Sequence, residues 1–331
     1  MTKTVKDERY LCVSAYVRAL EAQLLTDGDL QRMIDADDVR EAIRVLTDHG
    51  YPEMAPHMVS LEDTLRHHRE ALMASLSDFL PEGGLLDLFR IRYDYHNAKV
   101  ALKALWTDVD ATRLLMGGGR LEPLWLYQTL CTGEDQKLPP VMEQAVQEAR
   151  ERVGATLDPQ KGDLLLDKAA FAEQSALAEA VGSPFLLDYV ALLIDTANLQ
   201  AAVRILRMGK DAILLEESLL PGGTVAQDRL LESARAGTIA DLYAASPLEE
   251  AAGLGQQALS GGGLTAFEKA CDDAQNAFLQ RAMLIPFGPE PVLAFVAARE
   301  QEMRNVRIII SGKLAKLPAS TIRERMREAY V

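Results

Sequence analysis

Apolar positions along this chain recur at steps of three and four residues, the spacing of one face of an α-helix. Three stretches show it best: "DYHNAKVALKAL" (94–105), "DTANLQAAVRIL" (195–206) and "EMRNVRIIISGK" (302–313). They align on Asn97, Asn198 and Asn305. Three residues before each asparagine stands an acid: Asp94, Asp195 and Glu302. Apolar or small residues fill four further positions. Leu88, Tyr189 and Val296 lie nine before the asparagine, and Tyr95, Thr196 and Met303 two before it. Ala98, Leu199 and Val306 follow it directly, and Leu102, Val203 and Ile310 come five after. Each copy therefore predicts a helix with an apolar stripe. The acid and asparagine form a polar ridge at the stripe's border, one turn apart.

The flanks repeat as well. "LLMGGGRLEPLWLYQTL" follows the first copy and "LLPGGTVAQDRLLESA" the second. Each reads as a helix stop at glycine and a new amphipathic start. "LLTDGDLQRMIDADDVREAI" near the N-terminus resembles them, with its polar break between Leu25 and Leu30. A unit begins at the break, runs through two or three helices and ends in the acid-x-x-Asn helix. The asparagines lie 101 and 107 residues apart, which gives units at 1–114, 115–219 and 220–331. These are longer than solenoid repeats. "VRIIIS" (306–311) is the one β-branched run, and its place in the repeat makes it a buried helix. The expected fold is all-α: three similar helical domains about a pseudo-threefold axis.

Composition narrows the partners. The chain has 331 residues, with 35 Lys and Arg against 49 Asp and Glu, a formal charge of −14. Such a field repels polyanions, so no nucleic-acid role is expected. Cys12, Cys131 and Cys271 are odd in number and far apart, which suits a reducing compartment. "MTKTVKDERY" lacks the apolar stretch of a signal peptide. "SPFLLDYVALLIDTANL" (183–199) is interrupted by Asp188 and Asp195 and falls short of a membrane span.

The chemical motifs have bland readings. "SGKL" (311–314) has Arg307 and Leu314 where a phosphate loop needs glycine and a hydroxyl residue. The glycine triplets at 117–119 and 261–263 read as flexible connectors between helices. Asp35, Asp37 and Asp38 could be an acidic metal site of an all-α enzyme, but Asp38 followed by Glu41 fits a helix cap better. His67 and His68 read as solvated histidines on a polar helix. For the acid-x-x-Asn ridges two roles stay open: hydrogen bonds that fix helix crossings, or a face that lines a cavity or meets a partner. No catalytic residue, cofactor site or metal ligand is expected.

The stretch "PFGPEPVLAFVAAREQEMRNVRIIISGKLAKLPASTIRERMREAYV" (286–331) resembles the C-terminus of the C subunit of the V/A-type ATPases, the counterpart of the d subunit of the eukaryotic V-ATPase. The matching features are Pro286–Gly288, Glu302–Asn305, Gly312–Lys313 and Ile322–Val331. "YDYHNAKVALKA" and "YVRALEAQLL" resemble family signatures too, whereas "YLCVSAYVRALE" departs from them at Ser14 and Ala15. The resemblance implies three helical domains forming a funnel on the cytoplasmic face of a membrane proteolipid ring. The funnel would receive a central shaft made of the D and F subunits. The chain would be a non-catalytic rotor subunit, peripheral to the membrane through the ring. It would couple ATP hydrolysis or synthesis to H⁺ or Na⁺ movement.

Overall fold

A computed structural model describes residues 8–81, 84–107, 109–210 and 212–331. Most of "MTKTVKDERY" lies outside the described residues. Among these residues the chain forms sixteen α-helices and no strand. In order they are α1 (Leu11–Glu21), α2 (Asp27–Asp35), α3 (Val39–Asp48), α4 (Met58–Ser77) and α5 (Gly84–Thr107). Next come α6 (Pro123–Thr132), α7 (Pro140–Thr156), α8 (Pro159–Val181) and α9 (Pro184–Arg207). Then follow α10 (Ala212–Ser218), α11 (Gln227–Ala236), α12 (Ile239–Leu242), α13 (Glu249–Leu259) and α14 (Leu264–Gln280). The last are α15 (Pro289–Leu314) and α16 (Ala319–Arg325).

Local chemistry sets many boundaries. Thr26 and Asp29 form a reciprocal capping box at the start of α2. Proline opens α6, α7, α8, α9 and α15, where its missing N–H costs nothing. Gly133, Gly182 and Gly237 take left-handed conformations that stop α6, α8 and α11. "VRIIIS" lies inside α15, helical as its place in the repeat implies.

The three asparagines occupy the three longest helices, α5, α9 and α15. All twelve positions of the shared apolar register are buried. Helix α9 is long and apolar enough to cross a membrane by length and composition, contrary to the shortfall expected from 183–199. Most of it is buried, and it packs on α13 and α14 as the central helix of a core.

The chain divides into two compact units. One holds residues up to Pro81 with Ser183–Leu219 and Gly223–Val331; the other holds Glu82–Gly182 with Leu220–Gly222. In the second unit α5 packs on α6 and α8. Ile91, Tyr95, Ala98 and Leu102 of α5 meet Leu126 and Leu130 of α6, Met142 and Val146 of α7, and Leu166 of α8 in one core. In the first unit α15 stands in the same relation to α2, α3 and α4. Met303, Val306, Ile309 and Ile310 pack with Met33, Leu46, Leu61 and Leu65. Also in the first unit, α9 packs on α13 and α14. A long helix thus packs on the helices that follow it in the repeat order, and the third packs on those of the first. Sequence repeat and packing are offset by one helix.

Candidate functional site

The polar ridges were expected at the border of the apolar stripes. They are buried instead, with Asp94, Asn97, Asp195, Asn198, Glu302 and Asn305 between 0% and 6% exposed. Burying a carboxylate is costly unless donors surround it. Each acid meets that demand by reaching the break that opens the next repeat.

In the second unit, Arg120 N–H and Leu121 N–H donate to Asp94 Oδ1 at 2.9 and 3.1 Å. Arg120 Nε donates to Asp94 Oδ2 at 2.7 Å. The same guanidinium pairs with Glu173 of α8 at 2.7 Å, and Tyr95 Oη donates to Glu173 at 2.7 Å. Burial pushes the Asp94 carboxyl above its ordinary range, with Arg120 and Leu121 N–H pulling it back. Burial also opposes the Arg120 charge, but the bonds to Asp94 and Glu173 prevail and hold its proton. Three residues on, Asn97 reads one residue of the break in both directions. Its Nδ2 donates to Met116 O and its Oδ1 accepts from Met116 N–H, both at 2.8 Å.

In the first unit, Asp195 repeats the arrangement. Thr224 N–H donates to Oδ2 at 3.0 Å and Val225 N–H to Oδ1 at 3.2 Å, and the Thr224 hydroxyl also donates to Oδ2. Asn198 is buried one turn further along α9.

The glycine triplet at 117–119 was expected to be a flexible connector, and that expectation fails at Gly119. A Cβ on Gly119 would lie 2.2 Å from Asp94 Oδ1, and one on Gly223 would lie 2.1 Å from Asp195 Oδ1. Both breaks run against the carboxylate with no room for a side chain. Close approach, not flexibility, requires glycine there.

Glu302 is seated differently. It accepts from Leu25 N–H at 2.5 Å on Oε2, and from Tyr51 Oη at 2.6 Å and Arg299 Nη1 on Oε1. Arg299 is buried and lies over the Phe295 ring at 5.7 Å. Tyr51 stacks on His68 with ring centroids 4.3 Å apart. The expectation that His68 is solvated is therefore wrong: α4 turns the ring inward, and burial, aided by the Arg299 charge, lowers its pKa to about 4. Burial first, then the Glu302 charge, drives the Tyr51 hydroxyl well above its ordinary range. Asn305 again reads one residue both ways, donating to Arg327 O and accepting from Arg327 N–H, each at 3.1 Å.

The other candidates separate. Asp35 pairs with Arg323. Asp38 accepts from Glu41 N–H at 2.9 Å as the cap of α3, while Glu41 reaches back to Asp37 N–H at 2.7 Å. Among the described residues no group of three His, Cys, Asp or Glu could hold a metal ion. Lys313 of "SGKL" donates to Ile34 O and Ala36 O at 2.9 and 2.6 Å, closing the C-terminus of α2. Burial raises the Cys271 thiol to about 12, which removes it as a nucleophile.

The sequence reading missed Arg120, Glu173, Tyr51, Arg299 and Arg327. One signal for the seats was in view. A glycine pair follows each aspartate copy, and none follows the polar break that Glu302 serves. Chemically, these carboxylates are spent as acceptors for backbone and arginine donors. They lock connectors to helices.

The model of the ATP synthase (C/AC39) subunit family matches residues 13–325. The C subunit of the V-type sodium ATPase of Enterococcus hirae is 26% identical over 321 residues, covering 95% of this chain and 97% of that protein. The C subunit of the V-type ATP synthase of Thermus thermophilus is 25% identical, again over 95% and 97%. The C subunit of the A-type ATP synthase of Methanocaldococcus jannaschii is 24% identical over 98% of this chain and 88% of its own length.

Proposed function

This chain belongs to the ATP synthase (C/AC39) subunit family, and from that premise we propose that it is a non-catalytic rotor subunit of a V/A-type rotary ATPase. In this reading it links a central shaft, made of the D and F subunits, to a membrane proteolipid ring. It sits on the cytoplasmic side, peripheral to the membrane through that ring, and transmits torque in either direction while H⁺ or Na⁺ moves. The single observation that carries the proposal is the family match across nearly the whole chain.

The geometry supports the same reading. Torque transmission requires a body that does not yield. Here each long helix is tied to the break ahead of it by a buried carboxylate, and two-way asparagine pairs also hold the same break in the first copy and the segment after α16 in the third. Such buried hydrogen-bond networks fix one arrangement of the elements they join. We assign the three sequence repeats, 1–114, 115–219 and 220–331, to a funnel about a pseudo-threefold axis in which each domain joins the last helix of one repeat to the helices of the next. Asp94, Asn97, Asp195, Asn198, Glu302 and Asn305 then anchor the segments that border its cavity. The acidic surface suits a joint that is assembled and broken, since charge governs encounter and register.

The test is reconstitution of the complex with and without this chain. Without it, the detached head should keep hydrolysing ATP while ATP-driven ion uptake into vesicles falls to background. Re-adding the purified protein should restore uptake. Near-normal transport without it would refute the coupling role, and loss of hydrolysis by the isolated head would reveal a catalytic one.

A further inference from the structure

Asn97 and Asn305 make the same two-way pair, yet their partners differ in kind. Asn97 reads Met116, inside the connector between α5 and α6. Asn305 reads Arg327, in the extended segment that follows α16. That segment, Met326–Val331, occupies in the third repeat the place of the connector in the first.

Its backbone is held by side chains. Beyond Asn305, Asp273 accepts from Glu328 N–H at 2.9 Å and Asp27 from Ala329 N–H at 3.3 Å. Asn276 donates to Glu328 O and Ala329 O at 3.3 and 3.1 Å. Gln280 donates to Ala329 O and Tyr330 O at 3.4 and 3.2 Å. Arg327 adds an ion pair to Asp272 at 2.7 Å. Met326 and Tyr330 are buried while Glu328 and Val331 face outward. An extended backbone read by fixed amide and carboxylate groups, with two side chains, Met326 and Tyr330, buried as anchors, is the way proteins bind short peptides.

We propose that α14, α15 and the start of α2 form a peptide-binding slot, and that residues 326–331 are its built-in ligand, standing in for an inter-repeat connector. The slot is not a consequence of the covalent attachment at Arg325. It recognises the hexapeptide MREAYV itself. This inference is independent of the rotary function.

The experiment uses the full chain with a protease recognition sequence inserted between Arg325 and Met326. After cutting, the hexapeptide should co-elute with the body on gel filtration. Fluorescein-labelled MREAYV should exchange into the slot, whereas a scrambled hexapeptide should not. An MAEAYV peptide, lacking the arginine, should bind about tenfold more weakly, the scale of one charge-assisted bond. A body that stays folded but releases the hexapeptide, or takes up the scrambled one equally, overturns the proposal. If cutting unfolds the body, the uncut Asn305→Leu and Asn276→Ala proteins decide. Amide hydrogen exchange at 327–330 should quicken about tenfold while that of α5 and α6 holds. Unchanged exchange at 327–330 in both variants overturns the slot.

Discussion

The seats of Asp94 and Glu302 solve one problem in two ways. Both acids are buried, both serve a break between helices, and each has an arginine beside it. At Asp94 the break comes to the acid. Gly119 lets the backbone close in until a Cβ would touch the carboxylate, and the short aspartate receives two N–H groups. At Glu302 the acid goes to the break. The extra methylene spans the distance to one N–H, of Leu25, where no glycine pair exists. The donors lost from the backbone are replaced by Tyr51 and Arg299. Backbone conformational freedom and side-chain reach are interchangeable here. The side-chain version, however, needs more buried polar groups, and it depends on all of them.

The largest test of that difference removes the arginines. Arg299→Met should destabilise the chain by about 3–5 kcal/mol in urea unfolding, because it leaves the deeply buried Glu302 carboxylate with its Leu25 and Tyr51 donors but no opposing charge. Arg120→Met should lose only about 2 kcal/mol, since two N–H groups remain on Asp94 and Arg120 is partly exposed. Equal losses would erase the distinction between the seats.

Glycine substitution should show the opposite asymmetry. Gly119→Ala and Gly223→Ala should each cost about 2–3 kcal/mol by forcing the break off its carboxylate. Gly28→Ala, beside the Glu302 seat, finds its nearest neighbour at 3.6 Å. Within the first turn of α2 it should be neutral or stabilise by up to about 1 kcal/mol. Thermal unfolding of the three variants checks both expectations.

The Glu302 seat also carries the His68 stack, and with it a pH dependence. In the unfolded chain His68 takes its proton near pH 6.5, but in the folded chain only near 4. The unfolded state therefore binds the proton first as pH falls, and stability present above 6.5 is lost between 6.5 and 4. Allowing for the ring's partial exposure, the loss is about 2 kcal/mol. His68→Phe should flatten that part of the stability–pH curve, and an unchanged slope would assign the dependence elsewhere.

The smallest effect belongs to the cap beside Leu25. Thr26→Ala removes one half of the α2 capping box and should cost about 1 kcal/mol. Hydrogen exchange at the Leu25 amide sharpens the comparison. It should stay protected if Glu302 holds that group independently of the cap.

The helices and their buried faces were legible because helical periodicity is local. Residues three and four apart share a face whatever the rest of the chain does, so the twelve register positions identified the cores of the long helices. "VRIIIS" was readable for the same reason, once the repeat supplied its period. The cap at Asp38 is set by neighbours three residues away, and it too was visible.

Other features were decided only when distant segments met. A polar ridge of an acid and an asparagine looks like a solvated border until Arg120, Thr224 or Leu25 arrives from another part of the chain to satisfy it. His68 looks solvated in its own helix until Tyr51 stacks on it. Three glycines look like slack until one of them lies against Asp94. Local pattern alone specifies the helices and their apolar stripes, because those follow from the backbone's own geometry, and its recurrence marks the three copies. The tertiary structure decided which helix packs on which copy and where each buried charge finds its donors. Those choices rest on contacts between residues tens to hundreds of positions apart, and no local pattern encodes them.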